Sequence, residues 1–108
     1  MMMVYLTFPN AEEAEQIGRI LVEEGLAACV NFWDGMKSIY RWQGRVEEAG
    51  ETVCIAKTSA DNFEALRARV VSLHSYECPC VVAWPLSDGH APYIDWLAAS
   101  VGAPDNGK

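Results

Sequence analysis

SIYRWQGRVEEAGETVCIAKT, residues 38–58, has the pattern of a long β-hairpin. The aromatic and β-branched residues before Gln43-Gly44 favour an outgoing strand, and Thr52–Ala56 favours a returning one. Gln43-Gly44 itself is typical of the tight turn that joins two antiparallel strands. The hairpin is therefore the element around which the rest of the chain has to be arranged.

The arms of this hairpin are long for the size of the chain. If the outgoing strand begins near Ala28 and continues to Trp42, its residues span ~50 Å at ~3.3 Å each. A compact chain of 108 residues has a radius of gyration of only ~13 Å, which corresponds to a globule ~34 Å across. The hairpin should extend beyond that globule. Because its tip carries Tyr40 and Trp42, we expect another copy of the chain to cover it.

A second interpretation of the outgoing arm comes from Asp34-Gly35. This dipeptide also forms tight turns, and such a turn would split the arm into two short strands. Gly35 is equally consistent with a bulge that bends one continuous strand. A bulge leaves the overhang of the hairpin long, whereas a turn at Asp34-Gly35 makes it short.

Composition fits one soluble domain. The chain is 51% hydrophobic and 21% charged, and a chain of this size buries ~65% of its unfolded surface. The opening MMMVYLTF has no basic flank and no cleavage site, so it predicts a strand rather than a signal peptide. No apolar run approaches the ~20 residues of a membrane span. With 15 acidic and 8 basic residues the chain would repel a phosphate backbone, so we expect no membrane and no nucleic-acid partner.

The four cysteines stand at positions 29, 54, 78 and 80. Without a secretory signal they indicate reduced thiols and a cytoplasmic location rather than a disulfide framework. Reflection of the hairpin about its turn places Cys54 opposite Trp33 and Cys29 opposite Thr58. In that register Cys29 and Cys54 cannot form a disulfide.

The remaining elements follow from periodicity and capping residues. We predict a strand at Val4–Thr7, a helix from Asn10 to Gly25, a helix with the stripe Phe63, Leu66, Val70 and Leu73, a strand at Cys80–Leu86, and a helix from Pro92 to Val101. With the hairpin, this order predicts an α+β, ferredoxin-like βαββαβ sandwich with a long central β-hairpin and an extra C-terminal helix. Residues 1–101 should form a single domain, and residues 102–108 a disordered tail. The fold does not decide the function.

Several motifs in order resemble the CutA divalent-cation tolerance proteins. They are Ala27-Ala28-Cys29-Val30-Asn31, Ser38-Ile39-Tyr40-x-Trp42-x-Gly44-x-Val46-Glu47, Lys57-Thr58, His74-x-Tyr76-x-x-Pro79, and Gly89 with Tyr93 and Trp96. The resemblance runs through nearly the whole chain, which makes it more specific than any one motif. It implies a homotrimer with the hairpin arms packed between subunits, and a non-enzymatic role in tolerance to copper and other divalent cations.

The chain departs from this family where copper ligands are proposed in some bacterial members. Leu6 stands in place of a cysteine and Leu73 in place of a histidine, so only His74 carries over. Such losses leave open a structural scaffold whose metal site has decayed. Trp33 and Asp34 are also unusual for the family, and they leave open an additional protein partner.

His74, Cys78 and Cys80 form the only local cluster with ligand chemistry. Thiolate and imidazole bind copper and zinc, and alternate residues of a strand face the same side. The cluster therefore predicts a site for copper or another divalent cation, which would not be required for folding. The alternative is that the cysteines are small apolar fillers and His74 ends a helix. His90 could join such a site between subunits, but nothing near it in sequence supports this.

Two further groups of residues are candidates for binding. Glu51 and Lys57 share one strand face by alternation, and with Tyr76 they could line a ligand cleft at a subunit seam. An ion pair at the rim of an interface is the alternative for the two charged residues. Tyr40, Trp42 and Trp84 are the candidates for the trimer interface, where aromatic residues are enriched.

Enzymatic functions find little support in these residues. An acylphosphatase would need a phosphate cradle and an arginine after the first strand, where the chain has Thr7–Asn10. Cysteine catalysis would need a base beside an activated thiol. A trimeric signalling protein like the PII family, with a small molecule between subunits, remains an alternative. Its nucleotide would need basic side chains, and only Arg41 and Lys57 are placed for that.

Overall fold

The computed structural model describes residues 1–102. Its elements are β1 (Met2–Phe8), α1 (Ala11–Glu23), β2 (Cys29–Trp42), β3 (Arg45–Thr58), α2 (Ala60–Leu73), β4 (Val81–Pro85) and α3 (Ala91–Ser100). The strands form one antiparallel sheet in the order β2-β3-β1-β4. The predicted α+β, ferredoxin-like fold with an extra C-terminal helix is confirmed. Among the described residues no helix is long and apolar enough to cross a membrane.

One face of the sheet carries the core. Val4, Leu6 and Phe8 alternate along β1 and are fully buried against α1 and α2. The helices contribute the buried stripe Ala14, Ile17, Leu21, Leu66 and Val70. The opposite face holds Tyr5, and Val82 beside it is 54% exposed. The sheet is therefore covered on one side and open on the other.

The first helix is joined to the loop that follows α2. As its capping position predicts, the Asn10 side chain accepts a hydrogen bond from the Glu13 N–H at 2.8 Å. The Glu13 carboxylate does not complete a capping box. It accepts hydrogen bonds from the Ser75 N–H at 2.9 Å and from the Ser75 hydroxyl at 2.8 Å. This contact fixes the start of the segment between α2 and β4.

The hairpin extends beyond the rest of the sheet, as predicted. Pairing between β1 and β3 ends at Phe8 opposite Thr52, whereas β2 and β3 stay paired up to Trp42 opposite Arg45. Residues 45–51 of β3 therefore project beyond the end of β1 by ~23 Å, at ~3.3 Å per residue. The longest dimension of the protein is 45 Å, against a radius of gyration of 14.5 Å.

The outgoing arm is one continuous strand with a bulge, and Asp34-Gly35 does not split it. The register shifts between Trp33 and Met36, so that Asp34 and Gly35 together face Thr52. Gly35 has φ 95°, a backbone conformation that favours glycine. The Asp34 carboxylate accepts a hydrogen bond from the Thr52 hydroxyl at 2.9 Å, which holds the bulge against the partner strand.

The predicted register is wrong by one residue on the side of the bulge away from the turn. Cys54 lies opposite Phe32 rather than Trp33, and Cys29 lies opposite Lys57 rather than Thr58, because the bulge adds one residue to β2. The fourth strand also differs from its prediction. It begins at Val81, so Cys80 precedes it. The predicted tail lies outside the described residues except for Gly102, whose N–H donates to the Gly25 carbonyl at 2.8 Å.

Candidate functional site

A cavity of about 640 Å³ opens under the projecting hairpin. We call it the hairpin cleft; it lies between the hairpin arms, β1 and the segment that joins α2 to β4. Its walls are Tyr5, Thr7, Ser38, Ile39, Tyr40, Trp42, Glu51, Ser75, Tyr76, Glu77, Cys78 and Cys80. The cleft exists because β1 ends at Phe8, opposite Thr52, whereas the hairpin extends further, to the pair Trp42 and Arg45. Within the described chain, no strand lies beside this last part of the hairpin on the β1 side.

Glu51 is the buried charged group of the cleft, with only 8% of the residue exposed. Its carboxylate accepts hydrogen bonds from the Ser38 hydroxyl at 2.5 Å and from the Tyr76 hydroxyl at 2.9 Å. Burial and the hydrogen bond to this carboxylate raise the pKa of Tyr76 well above its ordinary value. Within residues 1–102 no basic side chain forms an ion pair with Glu51.

His74 does not line the cleft, but it contacts Thr7 and Tyr76, which do, and it is a structural residue rather than a free ligand. Its Nε2–H donates to the Thr7 carbonyl at 2.7 Å, and its Nδ1 accepts from the Tyr76 N–H at 3.0 Å. The ring stacks on Phe8 with the centroids 4.8 Å apart. Both nitrogens are occupied in this arrangement, so His74 cannot bind a metal without losing one of these bonds. Its second role is to position Tyr76, which in turn reaches Glu51.

The predicted trio His74, Cys78 and Cys80 is not assembled as a metal site. Among residues 1–102, no three His, Cys, Asp or Glu side chains form a metal-binding group. The two thiols do border the same cleft, where Cys78 is exposed and Cys80 is half-buried. Burial raises the pKa of the Cys80 thiol. The alternative of small apolar fillers therefore does not describe the exposed Cys78, whereas His74 does end α2 as that alternative predicts.

Of the predicted cleft residues, the structure brings together Glu51 and Tyr76 but not Lys57. The Lys57 ammonium lies over the Tyr93 ring, 5.3 Å from its centroid, and donates to the Tyr93 hydroxyl at 3.0 Å. Arg41 is not among the residues that line the cleft. His90 caps α3, away from the cleft. No basic group therefore reaches the cleft from the described part of the chain.

The three residues predicted at the trimer interface are exposed in the single chain. Tyr40 is 45% exposed, Trp42 40% and Trp84 44%. Tyr40 and Trp42 lie on the projecting part of the hairpin, and Trp84 lies on the open face of the sheet beside Met3. These aromatic side chains are therefore only partly covered by the described part of the chain.

Ser38 is one of the cleft residues that the sequence interpretation missed, and it is the one that contacts Glu51. The hairpin register contains the signal that could have found it. Glu51 lies opposite Met36, and Ser38 stands two residues further along the same strand, on the same face. A serine beside a carboxylate on a strand face is a ready hydrogen-bond donor. Alternation from Gln43-Gly44 therefore predicts that Ser38 and Glu51 lie on the same face of the hairpin as diagonal neighbours.

Comparison with known proteins decides the family. The model of the CutA1 divalent ion tolerance proteins matches residues 2–100. The chain belongs to the CutA family. The divalent-cation tolerance protein CutA of Thermus thermophilus is 46% identical over 99 residues, which cover 92% of this chain and 96% of that one. The human protein CutA is 41% identical over 93 residues, which cover 86% of this chain and 52% of the human protein.

Solved structures of CutA proteins have the same fold. The Thermus thermophilus structure matches with a TM-score of 0.91 and covers 94% of this chain and 100% of its own. The Archaeoglobus fulgidus structure matches with a TM-score of 0.89 at 40% identity, covering 93% and 98%. A general role in divalent-cation tolerance follows from membership of the CutA family. In this member Leu6 and Leu73 belong to the core, so neither position offers a metal ligand.

Proposed function

We propose that the protein acts in divalent-cation tolerance as a non-enzymatic homotrimer that binds copper. The observation that carries the proposal is the match to the CutA family over residues 2–100. Two features count against cysteine catalysis by Cys80 and His74. The Cys80 thiol has a raised pKa, so it is not an activated nucleophile. His74 has both nitrogens engaged, so it is not a free base for that thiol.

The thiols of Cys78 and Cys80 are the donors that fit copper. They are two residues apart, precede β4 and border one cleft. Soft thiolate ligands select Cu(I), which is the form of copper under reducing conditions. A hard ion such as calcium takes 6–8 oxygen ligands, and residues 1–102 do not gather even three acidic, thiol or imidazole groups. Two thiols that border one cleft support copper as the metal of this proposal.

The test is a titration of the reduced protein with Cu(I) in competition with a chelator, without oxygen. We expect Cys78→Ser and Cys80→Ser each to weaken copper binding at least about tenfold. Cys29→Ser is the matched control, because Cys29 is partly exposed but does not line the cleft. His74→Ala should leave the affinity within about twofold. Copper binding that survives both cleft substitutions would refute the site and favour a scaffold without a metal.

The trimer is supported by the exposed apolar surface of the single chain. The hairpin projects beyond the sheet, and Trp42 and Trp84 stand in solvent. Aromatic side chains are enriched at subunit interfaces. Trp84→Arg should lower the molar mass in solution, because it buries a charge in the proposed interface. Val71→Arg is the control, since Val71 is 45% exposed on α2 and lies on the covered side of the sheet. Equal molar masses for both variants would contradict this interface.

A second candidate function is favoured by the hairpin cleft. A cavity of about 640 Å³ lies within the range of small-molecule sites. The protein would then be a signalling module that holds a small molecule beside the subunit seam, as the PII-like alternative requires. Calorimetric titration with nucleotides, neutral compounds and organic cations tests this candidate. Binding of none of these classes would refute it and leave the metal function unaffected.

A further inference from the structure

We propose that His74 is a proton-operated switch that holds Tyr76 in place when the ring is neutral and releases it when the ring is protonated. The inference goes beyond the proposed function, because it requires neither copper nor the trimer. The His74 side chain is fully buried, with 0% exposed. Its Nε2–H donates to the Thr7 carbonyl at 2.7 Å, and its ring stacks on Phe8. Both contacts are compatible with a neutral and with a protonated ring, so the ring keeps its place in the two states.

The other ring nitrogen, Nδ1, has two partners within reach. In the neutral ring it accepts a hydrogen bond from the Tyr76 N–H at 3.0 Å. The nearer oxygen of the Glu13 carboxylate lies 3.5 Å from the same nitrogen. A protonated imidazole is a donor at both nitrogens, so Nδ1 can no longer accept from Tyr76 and donates to Glu13 instead. Protonation therefore exchanges one partner of Nδ1 for the other.

Glu13 makes the protonated state possible at a buried position. A buried charge is tolerated when an opposite charge and hydrogen bonds accompany it. The Glu13 side chain is only 17% exposed, and its two oxygens accept from the N–H and the hydroxyl of Ser75. A carboxylate has about four lone-pair sites, so it can accept the bond from His74 as well. The groups that contact His74 are the titratable Glu13 of α1 and Tyr76 of the segment after α2, and the uncharged Thr7 and Phe8 of β1.

The exchange at Nδ1 is transmitted to the hairpin through Tyr76. Its N–H is bonded to His74, and its hydroxyl donates to the Glu51 carboxylate on β3 at 2.9 Å. Protonation of His74 leaves the Tyr76 N–H without its acceptor, and a partly buried donor without a partner is unfavourable. The segment that begins at Ser75 therefore rearranges to satisfy this donor. The contact between Tyr76 and Glu51 weakens as a result.

The test is nuclear magnetic resonance of the unmodified, ¹⁵N-labelled protein from pH 8 to pH 5, the range in which imidazoles change charge. At pH 8 the His74 ring should be neutral with its proton on Nε2. As the ring becomes protonated, hydrogen exchange of the Tyr76 amide, corrected for its intrinsic pH dependence, should become at least about tenfold faster. The exchange and the ring titration should share one midpoint. A ring that stays neutral at pH 5, or a Tyr76 amide that stays protected once the ring is protonated, would overturn the switch.

Substitutions identify the groups of the switch. Glu13→Gln should move the midpoint of the Tyr76 amide response to a lower pH, because it removes the anion that stabilises the protonated ring. Glu15→Gln is the matched control, since Glu15 lies on the same helix, has a 57% exposed side chain and pairs with Arg19. His74→Asn should abolish the pH response, and if this variant does not fold, the comparison of the two glutamate variants decides. Equal shifts in Glu13→Gln and Glu15→Gln, or no shift in Glu13→Gln, would contradict the proposal.

Discussion

Tyr76→Phe tests the hydrogen-bond network of the hairpin cleft. The change removes one hydroxyl, which donates to the Glu51 carboxylate at 2.9 Å, and keeps the ring that packs on His74. A hydrogen bond to a charged group contributes about 1.5–3 kcal/mol. Because Glu51 is only 8% exposed, water replaces the lost donor poorly. We therefore expect the free energy of unfolding to fall by about 1.5–3 kcal/mol.

Tyr93→Phe is the matched control. It removes a hydroxyl that also contacts a charged group, the Lys57 ammonium at 3.0 Å, but at the exposed surface. Exposed contacts of this kind contribute about 0–1 kcal/mol. Both variants are unfolded with guanidinium at one fixed protein concentration, because the stability of an oligomer depends on concentration. Equal losses in the two variants would refute the role assigned to the buried network.

The difference in stability between the unsubstituted protein and Tyr76→Phe should depend on pH. The pKa of Tyr76 is raised above its usual value near 10, so the folded protein holds this proton more tightly than the unfolded chain does. The resulting stabilisation is complete below about pH 10 and is lost as the pH rises above that value. The stability advantage of the unsubstituted protein over Tyr76→Phe should therefore shrink above pH 10. An advantage that grows with pH would contradict the assigned sign.

Three further predictions concern the hairpin, the thiols and the core. Gly35→Ala should lower the free energy of unfolding by about 1–2 kcal/mol from backbone strain alone, because a Cβ there meets nothing within 4 Å. Gly50→Ala is the control, since Gly50 is equally open but has no positive φ, and it should leave the stability unchanged. Equal losses of stability in denaturant unfolding would contradict this. In alkylation followed by mass spectrometry, the exposed Cys78 should react first and Cys54, whose pKa burial raises to about 12, last. Leu66→Ala should lower stability by about 2–5 kcal/mol in thermal or chemical unfolding, because Leu66 is fully buried in the core.

The sequence predicts the fold well because its signals are local. Turn residues and the alternation of side chains define the hairpin, and the Asn10 side chain caps α1 as its position predicts. The register below the bulge was wrong by one residue. Asp34-Gly35 fits both a turn and a bulge in sequence, and the hydrogen bond from Thr52 that selects the bulge joins residues 18 positions apart. Local patterns do not contain that contact.

The site was predictable only in part. Alternation correctly places Glu51 and Lys57 on one strand face, but six residues at ~3.3 Å each separate them by ~20 Å along β3. They therefore reach different surroundings. The interpretation of His74 as a ligand depended on its neighbours in sequence. In the structure its Nε2–H donates to the carbonyl of Thr7, 67 residues away, and that contact could not be found from sequence spacing.

The molar mass of the unmodified protein in solution tests the central claim most directly. The claim is that two further copies of the chain cover the projecting hairpin and the open sheet face. Light scattering at micromolar concentration should give about 36 kDa, three times the chain mass of 11.9 kDa. A mass of 11.9 kDa would contradict the trimer and leave the exposed side chains of Trp42 and Trp84 without the proposed cover.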